Sequence, residues 1–214
     1  DPDLPIKAAE KRFGQTRPCI GCNFCIQFVG SKQTRCAVNP LMGKEAEPSE
    51  SAADSRRILV VGGGPAGMEA ALTANASGHK VKLIEKRSHL GGQLKLAASL
   101  ASKPEFAQLL DFYIDCLDRS GIELQLGRDF NLDALMEFRP DQIICATGSV
   151  SRPLYLDGKL QQEVHQAVEI LENQTALAGQ VVVIGGAITG LDAADFLSKQ
   201  GVHVTVIEAG KQAG

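Results

Sequence analysis

The sequence lacks a long apolar run and lacks any large excess of one charge. No stretch approaches the roughly 20 apolar residues that a membrane-spanning helix needs, and no signal peptide opens the chain. With 22 Lys and Arg against 25 Asp and Glu, the net charge is −3 at pH 7. This balance gives no reason to expect nucleic acid or an anionic membrane surface as a partner. The composition predicts an ordinary soluble protein, and we expect it in the cytoplasm.

Side-chain arrangements typical of hydrolases are also missing. The four histidines, at positions 79, 89, 165 and 203, form no cluster with acids and serines. Paired carboxylates suited to general acid and base catalysis do not stand out either. Surface or core positions are therefore the expected roles of these histidines.

One stretch, residues 58–85, has the full pattern of a dinucleotide-binding unit. A short apolar strand at 58–61 leads into a glycine turn, as expected for a parallel strand covered on both faces. A helix follows from Pro65, Gly78 ends it, and a second apolar strand occupies 81–84. The order of strand, turn, helix and strand makes this more than an isolated glycine motif.

The turn itself carries Gly62, Gly64 and Gly67 in the spacing G-x-G-x-x-G. The first glycine makes the tight turn, the second lets a pyrophosphate approach the backbone, and the third lets helix pack on strand. Pro65 and Ala66 open the helix, whose N–H groups would point at that phosphate. The sequence therefore predicts a dinucleotide site here.

An acid closes the second strand of this unit. Glu85 stands where a carboxylate can accept both hydroxyls of an adenosine ribose. Lys86, the next residue, is positioned to face nucleotide phosphate or the adenine edge, and a solvated surface position is the alternative.

Four of the six cysteines crowd into residues 19–36. Cys19, Cys22, Cys25 and Cys36 form the pattern C-x2-C-x2-C-x10-C. Three cysteines at intervals of three place thiolates around one small volume, which is typical of [4Fe–4S] ligands. Structural zinc usually takes two C-x2-C pairs separated by a longer spacer. The spacing favours the cubane, with zinc and unligated thiols as alternatives.

The pattern of residues 58–85 is repeated near the end of the sequence. Residues 181–208 again read as strand, glycine turn, helix, strand and acid, at a constant offset of 123 positions. The matching residues of the second copy are Gly185, Gly190, Gly201 and Glu208. We expect this copy to belong to a nicotinamide-binding domain, and Glu208 favours NAD because a carboxylate repels a 2′-phosphate.

Ala187 departs from the pattern of the second copy. It replaces the middle glycine, where a methyl group impedes close approach of a pyrophosphate. Two interpretations stay open: the cofactor sits slightly higher, or this copy is structural and binds no nicotinamide.

A family resemblance rests on the segments DPDLPIK, RPCIGCN and CAVNP, followed by the glycine motif. Together they resemble the multidomain relatives of old yellow enzyme, which include the bacterial 2,4-dienoyl-CoA reductases, trimethylamine dehydrogenase and amine demethylases. The resemblance implies an FMN barrel, then a [4Fe–4S] segment, then two interleaved Rossmann-like domains. Residues 1–18 would be the tail of a barrel, and the chain a cut from something longer. The two residues between Cys22 and Cys25 resemble the amine dehydrogenase branch more than the dienoyl-CoA reductase branch.

Resemblance to the FAD domains of two-dinucleotide-binding flavoproteins, including the glutathione reductase type, adds cofactor residues to the first nucleotide domain. A Gly-Gly-Gln loop would lie against the pyrophosphate and flavin of FAD, a phenylalanine would lend its backbone to adenine, and an Ala-Thr-Gly turn would pass close to the dinucleotide. The residues so assigned are Gly92, Gln93, Phe130, Ala146, Thr147 and Gly148. A plain surface turn is the alternative for the Gly-Gly-Gln loop.

The predicted fold class is α/β, with two incomplete Rossmann-like domains of the two-dinucleotide type behind a small iron–sulfur segment. The expected divisions are 1–43 for barrel tail and cysteines, 44–56 for a polar linker, 57–150 for the FAD or ADP domain, and 151–214 for the truncated NAD(P)-like domain. Within the FAD or ADP domain, the pattern also predicts helices at 104–120 and 132–138 and strands at 122–126 and 142–145.

The expected function is electron transfer between FAD, a [4Fe–4S] cluster and an FMN in the missing barrel, with NAD(H) a possible further cofactor. By resemblance the substrates are enoyl or dienoyl compounds, reduced with NAD(P)H, or methylated amines. The barrel portion, in the same or a separate chain, and an electron-transfer protein are the expected partners. Two alternatives stay open: a separate non-catalytic electron-transfer subunit, and a zinc-stapled nucleotide-binding module.

Overall fold

The computed structural model of the chain describes residues 3–30, 34–45, 54–152 and 164–211. Contacts divide the chain into unit 1, residues 1–148, and unit 2, residues 149–214. Each unit is described by itself.

Unit 1 is built on a parallel sheet of four strands. In the order β3-β2-β1-β4, the sheet is formed by β1 (Arg57–Val61), β2 (Lys80–Glu85), β3 (Glu123–Leu126) and β4 (Gln142–Cys145). The central strands β1 and β2 are buried on both faces, as parallel strands under helices must be, and their buried side chains are apolar except for Lys82 and Glu85. The chain order reverses between β1 and β4, so the carboxyl ends of these strands border the crevice where such sheets bind ligands.

Helices cover both faces of the unit 1 sheet. On one face, α2 (Pro65–Ala76) and α4 (Pro104–Ser120) bury apolar side chains against β1 and β2. On the other, α5 (Leu132–Phe138) places Ala134 and Phe138 against the sheet. A short helix, α3 (Gln93–Ala98), lies between β2 and α4 in the chain and contacts α4.

The N-terminal part of unit 1 has little regular structure. It contains α1 (Leu4–Ala9) and two 3₁₀ helices, Phe13–Gln15 and Phe24–Phe28. Two of its apolar side chains, Ile20 and Val38, pack against the buried core of the nucleotide fold. The cysteine segment is therefore attached to that fold within one unit.

Unit 2 repeats half of this architecture. It contains α6 (Ala167–Asn173), β5 (Gln180–Ile184), α7 (Ile188–Lys199) and β6 (His203–Ile207), and β5 pairs with β6 in parallel. Their register matches that of β1 and β2: Val182 pairs with Thr205, as Leu59 pairs with Lys82.

One face of the β5–β6 pair is open among the described residues. Val182 and Ile184 are 56% and 58% exposed, whereas their counterparts in unit 1, Leu59 and Val61, are 0% and 9% exposed. The difference arises because α5 covers the unit 1 face, and the described part of unit 2 has no helix in that place.

The sequence predicted most of these elements. The strands expected at 58–61, 81–84 and 142–145 are present, although β1 and β2 begin one residue earlier, and β2 also ends one later. Helices α1, α3 and α6 were not predicted. The expected linker, 44–56, lies mostly outside the described residues. None of the helices within the described ranges is long and apolar enough to cross a membrane.

The tight contact between α2 and β1 gives a first prediction. A Cβ on Gly67 would overlap the carbonyl oxygen of Gly62, whereas a Cβ on Gly64 would meet no atom within 4 Å. We expect Gly67→Ala to lower the free energy of unfolding by about 1–3 kcal/mol, because backbone has to move. Chemical denaturation measures this change.

Gly64→Ala is the matched control for that variant. Glycine is the slightly better N-cap residue, whereas alanine restricts the unfolded chain more. Because these two effects oppose each other, the free energy of unfolding of Gly64→Ala should be nearly that of wild type. Equal stability of Gly67→Ala and wild type would contradict the assigned contact.

Candidate functional site

The glycine turn after β1 is held in a conformation that requires glycine. Gly62 has φ +109° and its N–H donates to the Ile84 carbonyl at 2.8 Å, so the turn crosses over the end of β2. Gly67 brings α2 onto this turn, with no room for a Cβ. Pro65 and Ala66 open α2 at the crevice, where its first N–H groups are available to a phosphate.

The Ala-Thr-Gly turn after β4 lies directly against this glycine turn. A Cβ on Gly62 would overlap the carbonyl oxygen of Ala146, and the Ala146 N–H donates to Val61 at 2.8 Å. Thr147 and Gly148 follow on the exposed side. The structure thus brings both motifs together at the switch point of the sheet.

Glu85 is buried at the end of β2 and already has two backbone partners. Its carboxylate accepts the Gly63 N–H at 2.6 Å and the Arg87 N–H at 2.8 Å, one on each oxygen. A carboxylate offers about four acceptor positions, so room for ribose hydroxyls remains. The sequence predicted the ribose role and missed the structural one, in which Glu85 fixes the glycine turn to the strand end.

Gly63 is a site residue that sequence reasoning missed. A Cβ there would lie 2.7 Å from the Leu90 side chain and 3.0 Å from the Glu85 Cβ. The available signal was the Gly-Gly pair, which recurs as Gly185-Gly186 in the second copy.

The Gly-Gly-Gln loop lies over the middle glycine of the turn. The Gly91 N–H donates to the Gly63 carbonyl at 2.8 Å, and a Cβ on Gly92 would approach the Cα of Gly64 to 3.2 Å. Gln93 is exposed and begins α3. The loop is therefore placed beside the position expected for the pyrophosphate.

Lys86 and Phe130 lie at the outer end of the same crevice. Lys86 is exposed directly after β2. The segment before Phe130 runs along that strand end, because the Arg128 N–H donates to the Glu85 carbonyl at 3.1 Å. Phe130 itself is 43% exposed. Their predicted contacts with nucleotide remain predictions.

Unit 2 reproduces the glycine turn bond for bond. Gly185 donates to the Ile207 carbonyl at 2.8 Å, and a Cβ on Gly190 would overlap the Gly185 carbonyl oxygen. Glu208 accepts N–H bonds from Gly186 at 2.6 Å and Gly210 at 2.7 Å. These bonds hold the pKa of Glu208 below its usual value, and the bond from Gly210 has the largest effect. The carboxylate therefore stays charged.

The four cysteines of the N-terminal segment are all free of disulfides. Cys19, Cys22 and Cys25 are exposed and Cys36 is half-buried. The Gly21 N–H donates to the Cys19 sulfur at 3.4 Å, the kind of contact that stabilises a ligating sulfur. Cys36 lines a cavity of about 530 Å³ together with two cations, Arg35 and Lys44.

The structure does not place these thiols around a single ion. Within the described ranges, no three His, Cys, Asp or Glu side chains are arranged to hold one metal ion. A cubane binds each thiolate to a different iron, and the four-cysteine cubane stays a prediction.

Arg17 clamps the cysteine segment to the nucleotide fold. Its guanidinium donates to both carboxylate oxygens of Glu69 on α2, at 2.7 and 3.2 Å, and to the Val38 carbonyl at 2.7 Å. It also donates to the Tyr113 hydroxyl at 3.1 Å and lies over the Phe112 ring. Burial alone would lower the pKa of Arg17, but the bonds to Glu69 raise it above its ordinary value.

Arg17 was not predicted as a site residue. It lies two positions before Cys19, and its acceptor Val38 lies two positions after Cys36, so one side chain fixes both ends of the segment. A second acceptor, Glu69, lies in the helix that starts at the glycine turn. No local pattern indicates a contact across 52 positions, so only the fold reveals it.

These features define a dinucleotide-binding α/β protein with an attached cysteine segment. The family model of pyridine nucleotide-disulphide oxidoreductases matches residues 56–214. The chain belongs to that family, which confirms the predicted Rossmann-like α/β fold of FAD- and NAD(P)-binding proteins.

The similar proteins confirm the resemblance noted in the sequence. The NADH oxidase of Thermoanaerobacter brockii is 38% identical over 97% of this chain and 33% of its own length. The N,N-dimethylglycine/sarcosine dehydrogenase of Chromohalobacter salexigens is 30% identical over 97% of this chain and 32% of its own. A solved 2-naphthoyl-CoA reductase superposes with TM-score 0.88 at 34% identity, covering 99% of this chain and 33% of that one. The chain spans about a third of the length of these relatives.

Glu85 gives a prediction for nucleotide binding. A glutamine at this position has one acceptor oxygen in place of two, and its NH2 group would face a backbone N–H. The side chain therefore loses one hydrogen bond to the turn and can accept fewer hydrogen bonds from the ribose. We expect Glu85→Gln to weaken ADP binding in the first unit by about tenfold or more. Calorimetric titration with ADP measures the change.

Glu208→Gln makes the matched change in unit 2, so ADP affinity in unit 1 should be untouched. Unchanged ADP affinity in a folded Glu85→Gln protein would show that this carboxylate has only a structural role.

The clamp gives a prediction for pH dependence. Burial, with the charge of Glu69, raises the pKa of Tyr113 from 10.0 to about 12. Between pH 10 and about 12, the phenol of Tyr113 therefore stays protonated in the folded protein, whereas it ionises in the unfolded chain. Its contribution to stability is complete below pH 10 and is lost as pH rises through about 12.

Tyr113→Phe should remove this part of the alkaline destabilisation. The difference in denaturation midpoint between wild type and variant is expected to shrink from pH 10 toward pH 12. A difference that stays constant across this range would contradict the assigned environment of Tyr113.

Proposed function

We propose that the chain is the electron-transfer portion of an iron–sulfur flavoprotein oxidoreductase. FAD, or ADP in its place, occupies the crevice of unit 1, and Cys19, Cys22, Cys25 and Cys36 hold a [4Fe–4S] cluster. An FMN barrel, in the same protein or in a separate subunit, carries the substrate-transforming site. NAD(H) is the ligand of unit 2.

The Arg17 clamp is the observation that supports this function most directly. It joins both ends of the cysteine segment to α2, and α2 begins at the glycine turn of the dinucleotide crevice. Electron transfer needs two redox groups at a fixed separation. A bidentate, stacked arginine over a buried core provides such a fixed attachment.

The cysteine segment fits a cubane by the chemistry of its donors. Four free thiols occupy a mostly irregular segment, a backbone N–H already donates to the Cys19 sulfur, and Arg35 and Lys44 line the cavity at Cys36. These positive charges would favour deprotonated thiols and a cluster of net negative charge. A bound cluster would supply one-electron steps between two-electron flavins.

The N-terminal segment also presents an apolar surface suited to a partner. Exposed apolar side chains, which range from 45% to 81% exposed, are concentrated there: Leu4, Ile6, Phe13, Ile26, Val29 and Leu41. The sequence resemblance places the FMN barrel directly before this segment in the chain. An apolar surface beside the cysteines would let a barrel dock close to the cluster.

The relatives suggest the class of substrate. Those named as an NADH oxidase and a 2-naphthoyl-CoA reductase are 38% and 34% identical, against 30% for the N,N-dimethylglycine/sarcosine dehydrogenase. We therefore favour reduction of a conjugated acyl or enoyl compound at the expense of NADH. Oxidation of a methylated amine is the second candidate, favoured by the two-residue spacing between Cys22 and Cys25.

Simple observations distinguish this proposal from two alternatives, a separate electron-transfer subunit and a zinc-stapled nucleotide-binding module. A stable second chain that carries FMN and co-purifies would indicate a separate electron-transfer subunit. A zinc-stapled nucleotide module would be colourless, and Cys22→Ser would then cost stability without any loss of visible absorbance. The cytoplasm suits the free thiols, and neither nucleic acid nor membrane is part of the proposal.

Iron and acid-labile sulfide content of anaerobically purified protein tests the proposal. We expect about four of each per chain. Cys22→Ser should lose iron and visible colour, because it removes one thiolate ligand. Cys116→Ser is the control: this half-buried thiol lies on α4, burial raises its pKa, and its loss should leave the metal content unchanged. About one zinc per chain without sulfide would overturn the proposal.

A further inference from the structure

The two glycine turns differ at the residue that caps the N-terminus of the helix. Gly64 is the N-cap of α2, with φ −74° and ψ 178°, and Ala187 is the N-cap of α7, with φ −75° and ψ 172°. The N–H four residues on closes the first helical turn on each, at 2.9 Å in unit 1 and 3.0 Å in unit 2. The backbone is therefore the same in both.

This shared conformation does not require glycine. A φ near −75° is open to any L-residue. A Cβ on Gly64 would meet no protein atom within 4 Å, and Ala187 is exposed. By contrast, Gly67 and Gly190 are both required, because a Cβ on either would overlap a carbonyl oxygen of the turn.

The protein backbone therefore does not require glycine at position 64 or 187. A bound pyrophosphate is the group that would distinguish glycine from alanine there. Both positions open toward the crevice where a pyrophosphate meets the first N–H groups of the helix. A hydrogen there lets the phosphate reach the backbone, and a methyl group occupies part of that space.

We propose that Ala187 is the residue that sets pyrophosphate affinity in unit 2, and that its single methyl group weakens dinucleotide binding there. The inference rests on the proposed function, in which unit 2 takes NAD(H). The rest of the turn is intact, since the Gly185, Gly190 and Glu208 contacts match those of unit 1. Unit 2 thus keeps the glycine turn and the strand-end acid, and the reduction in affinity is local to one side chain.

A series at position 187 tests the inference. Calorimetric titration with NAD⁺ would compare Ala187→Gly, wild type and Ala187→Val, with the nucleotide of unit 1 left in place. We expect affinity to rise about tenfold in the glycine variant and to fall again in the valine variant. The oxidised cofactor keeps electron transfer out of the measurement.

Adenosine is the control ligand, because it carries the ribose hydroxyls and no phosphate. Its affinity should be the same in all three proteins if residue 187 acts on the pyrophosphate. Melting temperatures should also agree, because glycine is at least as good an N-cap as alanine. Gly64→Ala is the reciprocal change, expected to weaken ADP binding in unit 1 by a similar factor.

Equal NAD⁺ affinity of all three proteins at position 187 would overturn the inference, and so would a parallel change in adenosine affinity. Unchanged ADP affinity in Gly64→Ala would overturn it as well. These readouts are independent of iron content, so a failure here is distinguishable from a failure of the proposed electron-transfer function.

Discussion

The bond between a strand-end carboxylate and the N–H of the glycine turn is the interaction on which this structure depends. Glu85 accepts from Gly63 at 2.6 Å, and Glu208 accepts from Gly186 at 2.6 Å. Each bond fixes the turn over the neighbouring strand, and that position brings the helix close enough to require Gly67 or Gly190. In unit 1 the fixed turn also receives the Ala-Thr-Gly segment and the Gly-Gly-Gln loop.

The cysteine segment depends on the same turn through α2. Arg17 reaches Glu69 one turn into that helix, and its bonds to Val38 and Tyr113 fix the segment between α2 and α4. A redox group held by these cysteines would inherit its position from the nucleotide fold. The clamp therefore supports the proposal that the two sites are parts of one electron path.

The helices and strands that could be predicted from the sequence are those marked by a local residue pattern. Strands β1, β2 and β4 and helices α2, α4 and α5 were predicted because apolar periodicity, proline and glycine mark them. The helix α3 was missed because it spans six residues behind a Gly-Gly turn. Gly63 and Arg17 were missed for another reason: their roles come from contacts 22 and 52 positions away, which no local spacing shows. The convergence of the four thiols also needs more than spacing, and it stays a prediction.

The nucleotide content of the purified protein decides whether the crevice of unit 1 binds a dinucleotide. The protein would be denatured, and the released adenine nucleotides would be identified and counted by chromatography. We expect one FAD or ADP per chain, held in unit 1 by the turn that Glu85 fixes. A folded protein that releases none, and that binds neither nucleotide on titration, would contradict the assignment of this crevice as a dinucleotide site.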